Sequence, residues 1–140
     1  MNQVPDELLD YDEDLGVYTF NGEPFTGLAF QSGPGGWIRS DEEYRDGLPW
    51  GVSRTWHSST QLASESRTVG GVWHGPRREW HPTGQLALEE ELEFGIALRR
   101  RRWDESGAIV EDFLLLETDP NYETLLMFRK HNPRYRWTEP

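Results

Sequence analysis

Two series of glycines recur along this chain at a fixed spacing of 24 residues. The first series is Gly27, Gly51 and Gly75, and the second is Gly47, Gly71 and Gly95. Other residues repeat with them: units open at Ile38, Leu62, Leu86 and Ile109, and one internal position holds Trp56, Trp80 and Trp103. A period of about 20–50 residues is the sequence signature of stacked structural repeats. The spacing therefore predicts that each unit packs mainly against its neighbours in the chain.

Each unit has the pattern of two short strands joined by a tight turn. In the unit that opens at Leu86, apolar residues alternate with Ala87 and with glutamates, and this period of two is typical of a strand with one buried face. Glycine turns follow, as at Asp46-Gly47, and Asn21-Gly22 gives the same hairpin signal. We therefore expect a mainly β fold: an elongated single-sheet meander of stacked antiparallel β-hairpins, with adjacent strands about 4.8 Å apart.

The end of the chain has helical features instead. Asp119 is an N-cap residue, Pro120 suits the first helical position, and Asn132-Pro133 stops the run. We expect a helix over residues 120–131 that covers the open edge or face of the last repeat, because an uncovered edge strand invites aggregation. The predicted organisation is a loose, acidic lead-in (1–14), a repeat domain (15–116) with units near 15–37, 38–61, 62–85 and 86–108 and a half-unit at 109–116, and a C-terminal helix and tail that cap the repeats (117–140).

The units read IRSDEEYRDGLPWGVSRTWHSSTQ, LASESRTVGGVWHGPRREWHPTGQ and LALEEELEFGIALRRRRWDESGA. Their shared order of an apolar residue, an acid, two glycines and a tryptophan resembles the MORN-repeat variant over about residues 15–116. The last unit departs from the pattern, because Leu98 replaces the second glycine and one residue is deleted, which predicts an irregular strand near Arg99–Arg102. The resemblance implies a protein-binding module, since bacterial proteins made mainly of such repeats are commonly labelled antitoxins or immunity proteins.

Acidic residues outnumber basic ones, and the formal net charge is −11. Residues 1–50 hold 11 acidic and 2 basic residues, whereas the remainder is nearly balanced. An acidic surface repels nucleic acid and anionic lipid, so we expect no nucleic-acid partner and no membrane partner. The same surface would attract a basic protein such as a toxin. The simpler interpretation is that the charge only keeps the protein soluble.

The sequence lacks the residues and motifs that several kinds of site require. The chain has no cysteine, so it has no disulfide and no thiolate metal site. Its first 30 residues have no basic segment followed by an apolar run, which predicts a cytoplasmic protein. The chain has no Gly-x-Ser-x-Gly elbow, and the glycine-rich segment 33–36 lacks the lysine of a phosphate-binding loop. These features favour a protein that is not an enzyme and needs no cofactor.

Two histidines, His57 and His81, occupy the same position in neighbouring units, directly after a tryptophan. They could form a metal site or an acid–base pair. Equivalent positions in neighbouring hairpins lie about 9.6 Å apart, however, which is too far for both rings to bind one zinc ion at about 2.0–2.1 Å. We therefore predict no metal site and keep both histidines as candidate binding residues.

A second repeated position is acidic: Asp41, Glu65, Glu89 and Asp112, with Glu43 beside them. As a docking stripe for a basic partner it would make Asp41, Glu43, Glu65 and Glu89 binding residues. The structural alternative is cross-strand pairing with arginines expected on the same face: Arg67, Arg77, Arg100 and Arg102. The run Arg99–Arg102 alternates between two faces, so we interpret it as an ion-pair partner of the Glu89–Glu93 segment rather than a nucleic-acid site.

The tryptophans divide into two groups. Trp56, Trp80 and Trp103 are expected to form a core ladder, while Trp37, Trp50 and Trp73 lie nearer the turns and are candidate exposed anchors of a protein interface. Tyr135 and Trp137 could serve similarly or hold the tail in place.

Three functions remain open from the sequence. The first is a protein-binding module, antitoxin-like or immunity-like, that occludes a partner through one face of its sheet. The second is a small enzyme or a small-molecule-binding protein with an aromatic groove between the sheet and the C-terminal tail. The third is a structural scaffold without a dedicated partner.

Overall fold

The computed structural model describes residues 2–133, which form a mainly β fold with one α-helix. The strands are β1 (Gln3–Pro5), β2 (Asp10–Asp12), β3 (Val17–Phe20), β4 (Glu23–Pro24), β5 (Gly27–Ser32), β6 (Ile38–Arg45), β7 (Leu48–Ser58), β8 (Gln61–Val69), β9 (Val72–Trp73), β10 (Gly75–Trp80), β11 (Leu86–Glu93), β12 (Ile96–Trp103) and β13 (Ile109–Leu114). Short 3-10 turns lie at Asp6–Leu8 and Pro34–Gly36, and helix α1 is Pro120–His131. Tyr135 and Trp137 lie outside the described residues.

The main sheet is an antiparallel meander. Within residues 2–133 its order is β1-β5-β6-β7-β8-β10-β11-β12-β13, with β9 paired to β8. From β5 onwards, the neighbours along this path pair antiparallel. Short hairpin connections require this arrangement, because parallel neighbours would need long crossovers. The predicted meander of hairpins is confirmed.

The turns account for one glycine series. Asn21, Asp46, Gly70 and Phe94 all have positive φ, and each precedes a glycine that also has positive φ. Two successive residues in this region form a type I′ turn, whose twist matches that of antiparallel strands. The backbone therefore requires a residue that tolerates the left-handed region at intervals of about one unit.

Hydrogen bonds between units align these turns. The N–H of Gly47 donates to the carbonyl of Phe25, that of Gly71 to Pro49, and that of Gly95 to Trp73, each at 2.8 Å. Each of these three turns is thus bonded to the unit before it, which brings successive turns together at one end of the strands.

The first part of the chain differs from the expectation of a loose lead-in. β1 pairs parallel with β5, and β2 joins β3 and β4 in a separate three-stranded sheet. Val4 is buried against Phe25 and Ala29, with Leu9 and Tyr44 beside them. The segment is ordered because it buries apolar side chains against the first hairpins, a contact that its acidic composition conceals.

The irregular strand predicted near Arg99–Arg102 is a bulge. Glu91 faces Arg99 and Leu92 faces Ala97, so Leu98 has no partner in the register. The bulge lies at the residue that replaces the repeated glycine.

Helix α1 has the predicted bounds and caps. The Asp119 carboxylate accepts a hydrogen bond from the Asn121 N–H at 2.9 Å, and the Asn132 N–H donates to the Phe128 carbonyl. The helix is fixed to the end of β11 by an ion pair from Arg129 to Glu93 and by Phe128, which stacks on Phe94. It therefore covers the turn end of the last full unit. No helix in residues 2–133 is long and apolar enough to cross a bilayer.

Candidate interaction surface

A row of alternating charges crosses the main sheet. Its members face one another on successive strands from β6 to β13: Asp41, Arg54, Glu65, Arg78, Glu89, Arg101 and Asp112. Arg54 contacts Asp41 at 3.1 Å, Arg78 contacts Glu89 at 3.5 Å, and Arg101 contacts Asp112 at 3.6 Å. Opposite charges in facing positions stabilise neighbouring strands. The repeated acidic position is therefore matched by a repeated arginine.

The arginines of this row differ from those that the sequence suggested. Arg77 and Arg100 both contact Glu90, on the opposite face, at 2.8 Å and 2.5 Å, and Arg102 contacts Glu111. The expected face was wrong for Arg77, Arg100 and Arg102, because each is one position along its strand from an arginine of the row, Arg78 or Arg101, and so lies on the opposite face. The expectation that the Arg99–Arg102 run pairs with the Glu89–Glu93 segment is confirmed.

The acidic candidates have different environments. Asp41 is buried and accepts two hydrogen bonds from Arg54, which contradicts its placement on an open stripe. Glu43 accepts from the Val52 N–H at 3.3 Å and lies over Gly51. Glu65 lies between Arg54 and Arg78 in the register, and Glu89 is more exposed and faces Arg78. Most acidic residues at the repeated position therefore face an arginine on a neighbouring strand.

His57 and His81 make the same bond in successive units. His57 Nε2 lies 2.7 Å from the Trp80 carbonyl oxygen, and His81 Nε2 lies 2.9 Å from that of Trp103. A carbonyl oxygen only accepts, so Nε2 carries the proton in both rings. Each histidine therefore links its unit to the next one. No group of three or more His, Cys, Asp or Glu side chains among residues 2–133 could hold a metal ion.

The tryptophans at the repeated position do not form a buried core. Trp56, Trp80 and Trp103 are half-buried, and Arg54 lies over the Trp56 ring. They remain partly open because a single-layer sheet covers a side chain from one side. Among the candidate anchors, Trp73 is 43% exposed, whereas Trp37 and Trp50 are half-buried.

An apolar groove lies between the sheet and helix α1. It encloses about 380 Å³ and is lined by Leu48, Trp50, Val69, Gly70, Val72, His74, Phe94, Phe128 and Asn132. Hydrogen bonds between the turns of successive units hold strands β7 to β11 together, and these strands form one wall of the groove. Helix α1 forms the other wall. Of the sequence-predicted residues that the structure describes, the groove contains only Trp50. A volume in this range is typical of sites that bind apolar groups.

His74 is the polar residue buried in the groove wall. It is 2% exposed, and its Nδ1 accepts a hydrogen bond from the Phe94 N–H at 3.0 Å. Burial lowers the pKa of the imidazole below its ordinary value of 6.5, with Glu93 acting in the opposite direction. The ring is therefore neutral near pH 7, with its proton on Nε2. This Nε2–H has no hydrogen-bond partner among the described residues.

Phe94 is held in a costly backbone conformation. Its φ is 52°, in a region where equivalent turns place Asn21, Asp46 and Gly70. A bulky side chain in this region costs on the order of 1–3 kcal/mol, and such strain is more frequent at active sites and ligand sites than elsewhere. The ring packs on His74 and stacks on Phe128, with centroids 4.9 Å and 5.4 Å away. The strained turn thus places an aromatic ring in the groove.

The sequence analysis missed His74, Phe94 and Phe128. The available signal was a departure from the repeat: Phe94 stands where other units have residues suited to positive φ. Predictions that rely on repeated residues identify structural positions, and they pass over a position such as Phe94, where the repeat changes.

The fold and these surfaces define a β-hairpin protein with a row of alternating charges across its sheet and an apolar groove beside its helix. The chain is 36% identical over 124 residues to the immunity protein YwqK of Bacillus subtilis (strain 168), a match that covers 89% of this chain and 77% of that protein. The chain therefore belongs to the family of this immunity protein. No protein-family model matches the chain, and no solved structure gives a significant match.

Proposed function

We propose that this protein is an immunity protein that binds a toxin and occludes it. The observation that carries the proposal is the 36% identity to a protein named as an immunity protein, over most of both chains. The formal charge of −11 supports a basic toxin as the partner, since complementary charge speeds association and selects partners. We further propose that the hairpin units are MORN-like repeats and that the protein acts in the cytoplasm.

The proposed contact surface includes the exposed aromatic and acidic candidates. Trp73 is exposed and carries Arg77 4.2 Å from its ring centroid, while Arg45 lies 4.9 Å from the Trp50 ring centroid. Aromatic residues flanked by charged ones are frequent centres of binding energy. Trp37, Glu43, Glu65 and Glu89 are proposed to contribute at the margins, as are His57 and His81.

The test is protection in cells. Genes next to the coding sequence are expressed one at a time in a bacterial host, and a toxic product is then co-expressed with this protein. We expect growth to be restored and the two proteins to purify as a complex. If no neighbouring product is toxic, or if the toxic product neither binds this protein nor is neutralised by it, the proposal is wrong.

A second candidate function is binding of a small apolar molecule, alone or as a substrate. One observation favours it: the groove is aromatic and lies between the sheet and the C-terminal helix. Mass spectrometry of material released from the denatured native protein would test it. A single stoichiometric compound would favour this function over the first.

A further inference from the structure

The main sheet ends in strand β13, which has a neighbouring strand on one side only. Within residues 2–133, β13 pairs with β12 and with no other strand. Helix α1 is held elsewhere, at the turn end of the last full unit, by its contacts with Glu93 and Phe94. Val110 and Leu114 of β13 remain 62% and 60% exposed. The strand therefore presents an open edge at which a further strand could pair.

The opposite edge of the sheet is poorly suited to pairing. Strand β1 forms that edge, has only three residues and ends at Pro5. Proline has no N–H to donate, and short strands with proline are a common means of preventing edge-to-edge association. Strand β13 has six residues and no proline. It is therefore the better edge of this sheet for an added strand.

The main chain of β13 directs part of its hydrogen-bonding groups outwards. The Leu115 N–H donates to the Leu98 carbonyl at 2.9 Å, so the main chain of Leu115 faces β12. Successive residues of an antiparallel strand direct these groups alternately towards the neighbouring strand and away from it. Because the register has no shift between Leu115 and Glu111, Glu111 bonds to β12, whereas Asp112 and Leu114 present their N–H and C=O groups to the free edge.

The row of alternating charges reaches this edge with an acid. Inside the sheet, Glu89 faces Arg78 on one side and Arg101 on the other. Asp112 faces Arg101 on one side only, and 55% of its side chain is exposed. The neighbouring Glu111, on the other face of the sheet, also faces an arginine of β12 on one side only. An added strand with basic residues would give both acids the arrangement that Glu89 has within the sheet, and such facing pairs stabilise neighbouring strands.

A second copy of the chain complements this edge poorly. Two copies of β13 that paired antiparallel over their full length would place Glu111 of one copy opposite Asp112 of the other. Like charges directly opposite each other are destabilising. A basic strand therefore fits the edge better than another β13, and the formal charge of −11 favours the same kind of partner.

We infer that β13 receives an extended segment of the partner protein as an added antiparallel strand, with two consecutive basic residues that face Asp112 and Glu111. This inference rests on the proposed function and names the part of the toxin that is bound. Main-chain hydrogen bonds with Asp112 and Leu114 supply affinity, as in other complexes formed by strand addition. The two acids lie on opposite faces of the sheet, so they select a segment in which the basic residues are adjacent.

A short peptide tests the edge without the toxin. In acetyl-TVYRRVT-amide, the two arginines face Asp112 and Glu111 when the peptide lies antiparallel to β13. At millimolar peptide concentration we expect saturable downfield NMR shifts of the Asp112 and Leu114 amide protons, because these groups gain acceptors. The same peptide with glutamines in place of both arginines should bind about tenfold more weakly. Unmoved Asp112 and Leu114 amides, or equal binding of the two peptides, would overturn the inference.

Methylation of single peptide nitrogens locates the hydrogen bonds. In the proposed register the first arginine exchanges both main-chain hydrogen bonds with Asp112, whereas the N–H of the second arginine points away from β13. N-methylation of the first arginine should weaken binding about tenfold or more, and N-methylation of the second should change it by less than about threefold. Equal effects would show that charge alone holds the peptide, which contradicts strand addition. The comparison uses the wild-type protein and does not depend on the folding of a variant.

Variants of the protein test the same contact from the other side. Leu114→Pro removes an outward N–H at an edge position, where proline is tolerated, and Leu114→Ala shortens the side chain but keeps the N–H. Peptide binding should weaken about tenfold in Leu114→Pro and at most about threefold in Leu114→Ala. Asp112→Asn should weaken it about threefold, whereas Asp14→Asn, at an exposed position before β3, should not. Equal binding by Leu114→Pro and Leu114→Ala would contradict the edge contact, provided that urea unfolding shows both variants to be folded.

The oligomeric state decides between a partner and a second copy. Sedimentation of the wild-type protein alone should show a monomer. A wild-type dimer that Leu114→Pro converts to a monomer would show that a second copy occupies the edge, and the inference would be wrong.

The complex then separates the two proposals. Calorimetry with the neutralised toxin should show binding about tenfold weaker for Leu114→Pro than for Leu114→Ala. If the wild-type protein binds the toxin and these two variants bind it equally well, the edge inference fails while the proposed function stands. If the wild-type protein binds no toxin, the proposed function fails, and the peptides alone decide whether the edge accepts a basic strand.

Discussion

Arg129 of α1 and Glu93 of β11 form an ion pair with two hydrogen bonds, Nε to Oε2 at 2.6 Å and Nη2 to Oε1 at 2.9 Å. The pair spans 36 residues of sequence and attaches the helix beside the groove. The hydrogen bond from Glu93 raises the pKa of Arg129, so the guanidinium remains charged.

Removal of this attachment should loosen the helix. Arg129→Met is expected to lower the free energy of unfolding by about 1 kcal/mol, because the pair is partly exposed and bidentate. Urea unfolding measures the loss, and hydrogen exchange should show faster opening of α1. Lys130→Met removes the neighbouring positive charge and serves as the control. Equal effects of the two substitutions would show that the ion pair does not hold the helix.

Two adjacent glutamates on opposite faces should differ in importance. Glu90 is buried between Arg77 and Arg100, whereas Glu89 on the charged row is half-buried, with 42% of its side chain exposed. Glu90→Gln is expected to cost about 3 kcal/mol, because it removes the buried carboxylate that two guanidinium groups share and leaves Arg77 only Glu79 and Arg100 only Glu111 as acidic partners. Glu89→Gln should cost about 1 kcal/mol or less. Thermal or urea unfolding of both variants checks the difference, and similar losses would contradict the assigned roles.

The repeated glycine at the start of β10 should not tolerate a side chain. Gly75 is buried with φ of 113°, a conformation that L-residues with a Cβ rarely adopt. Gly75→Val is expected to destabilise the protein by about 1–3 kcal/mol. Ala108→Val, at an exposed position, controls for the added methyl groups. A Gly75→Val variant that melts at the wild-type temperature would show that this glycine is dispensable.

Stability should fall as the solution is acidified through the range where His74 titrates. The folded state depresses the pKa of His74 below the ordinary 6.5, chiefly through burial. Below about pH 6.5 the unfolded chain binds a proton that the folded chain does not, so the free energy of unfolding decreases. The contribution of neutral His74 is complete above that pH. Urea unfolding at several pH values measures the slope.

Variants assign this slope to one ring. His74→Gln should flatten the dependence between pH 7 and the folded pKa, while His131→Gln, at an exposed position of α1, should leave it unchanged. A slope that persists in His74→Gln would identify other titrating groups as its source.

Much of the architecture could be predicted because it depends on local features. Consecutive residues specify the turn at Asp46-Gly47 and the apolar–polar alternation around Leu88. The caps of α1 at Asp119 and Asn132 depend on equally local sequence. The prediction of a loose lead-in was wrong, because Val4 is buried against Phe25 and Ala29, which lie more than 20 positions away in the sequence. The acidic position was identified, but its arginine partners were not, because adjacent arginines of one strand lie on opposite faces and only the pairing register shows which of them faces the acids.

The 24-residue period by itself determined a meander of antiparallel hairpins, since positive-φ turns and period-two strands leave short chains few other pairings. Only the tertiary structure decided where the apolar groove forms. Trp50 and His74, like Gly70 and Phe94, are 24 residues apart and follow the period, whereas Phe128 belongs to the helix and to no repeat. The contact of the helix with these strands depends on side-chain packing and on the ion pair between Arg129 and Glu93, and such long-range contacts leave no periodic trace in the sequence.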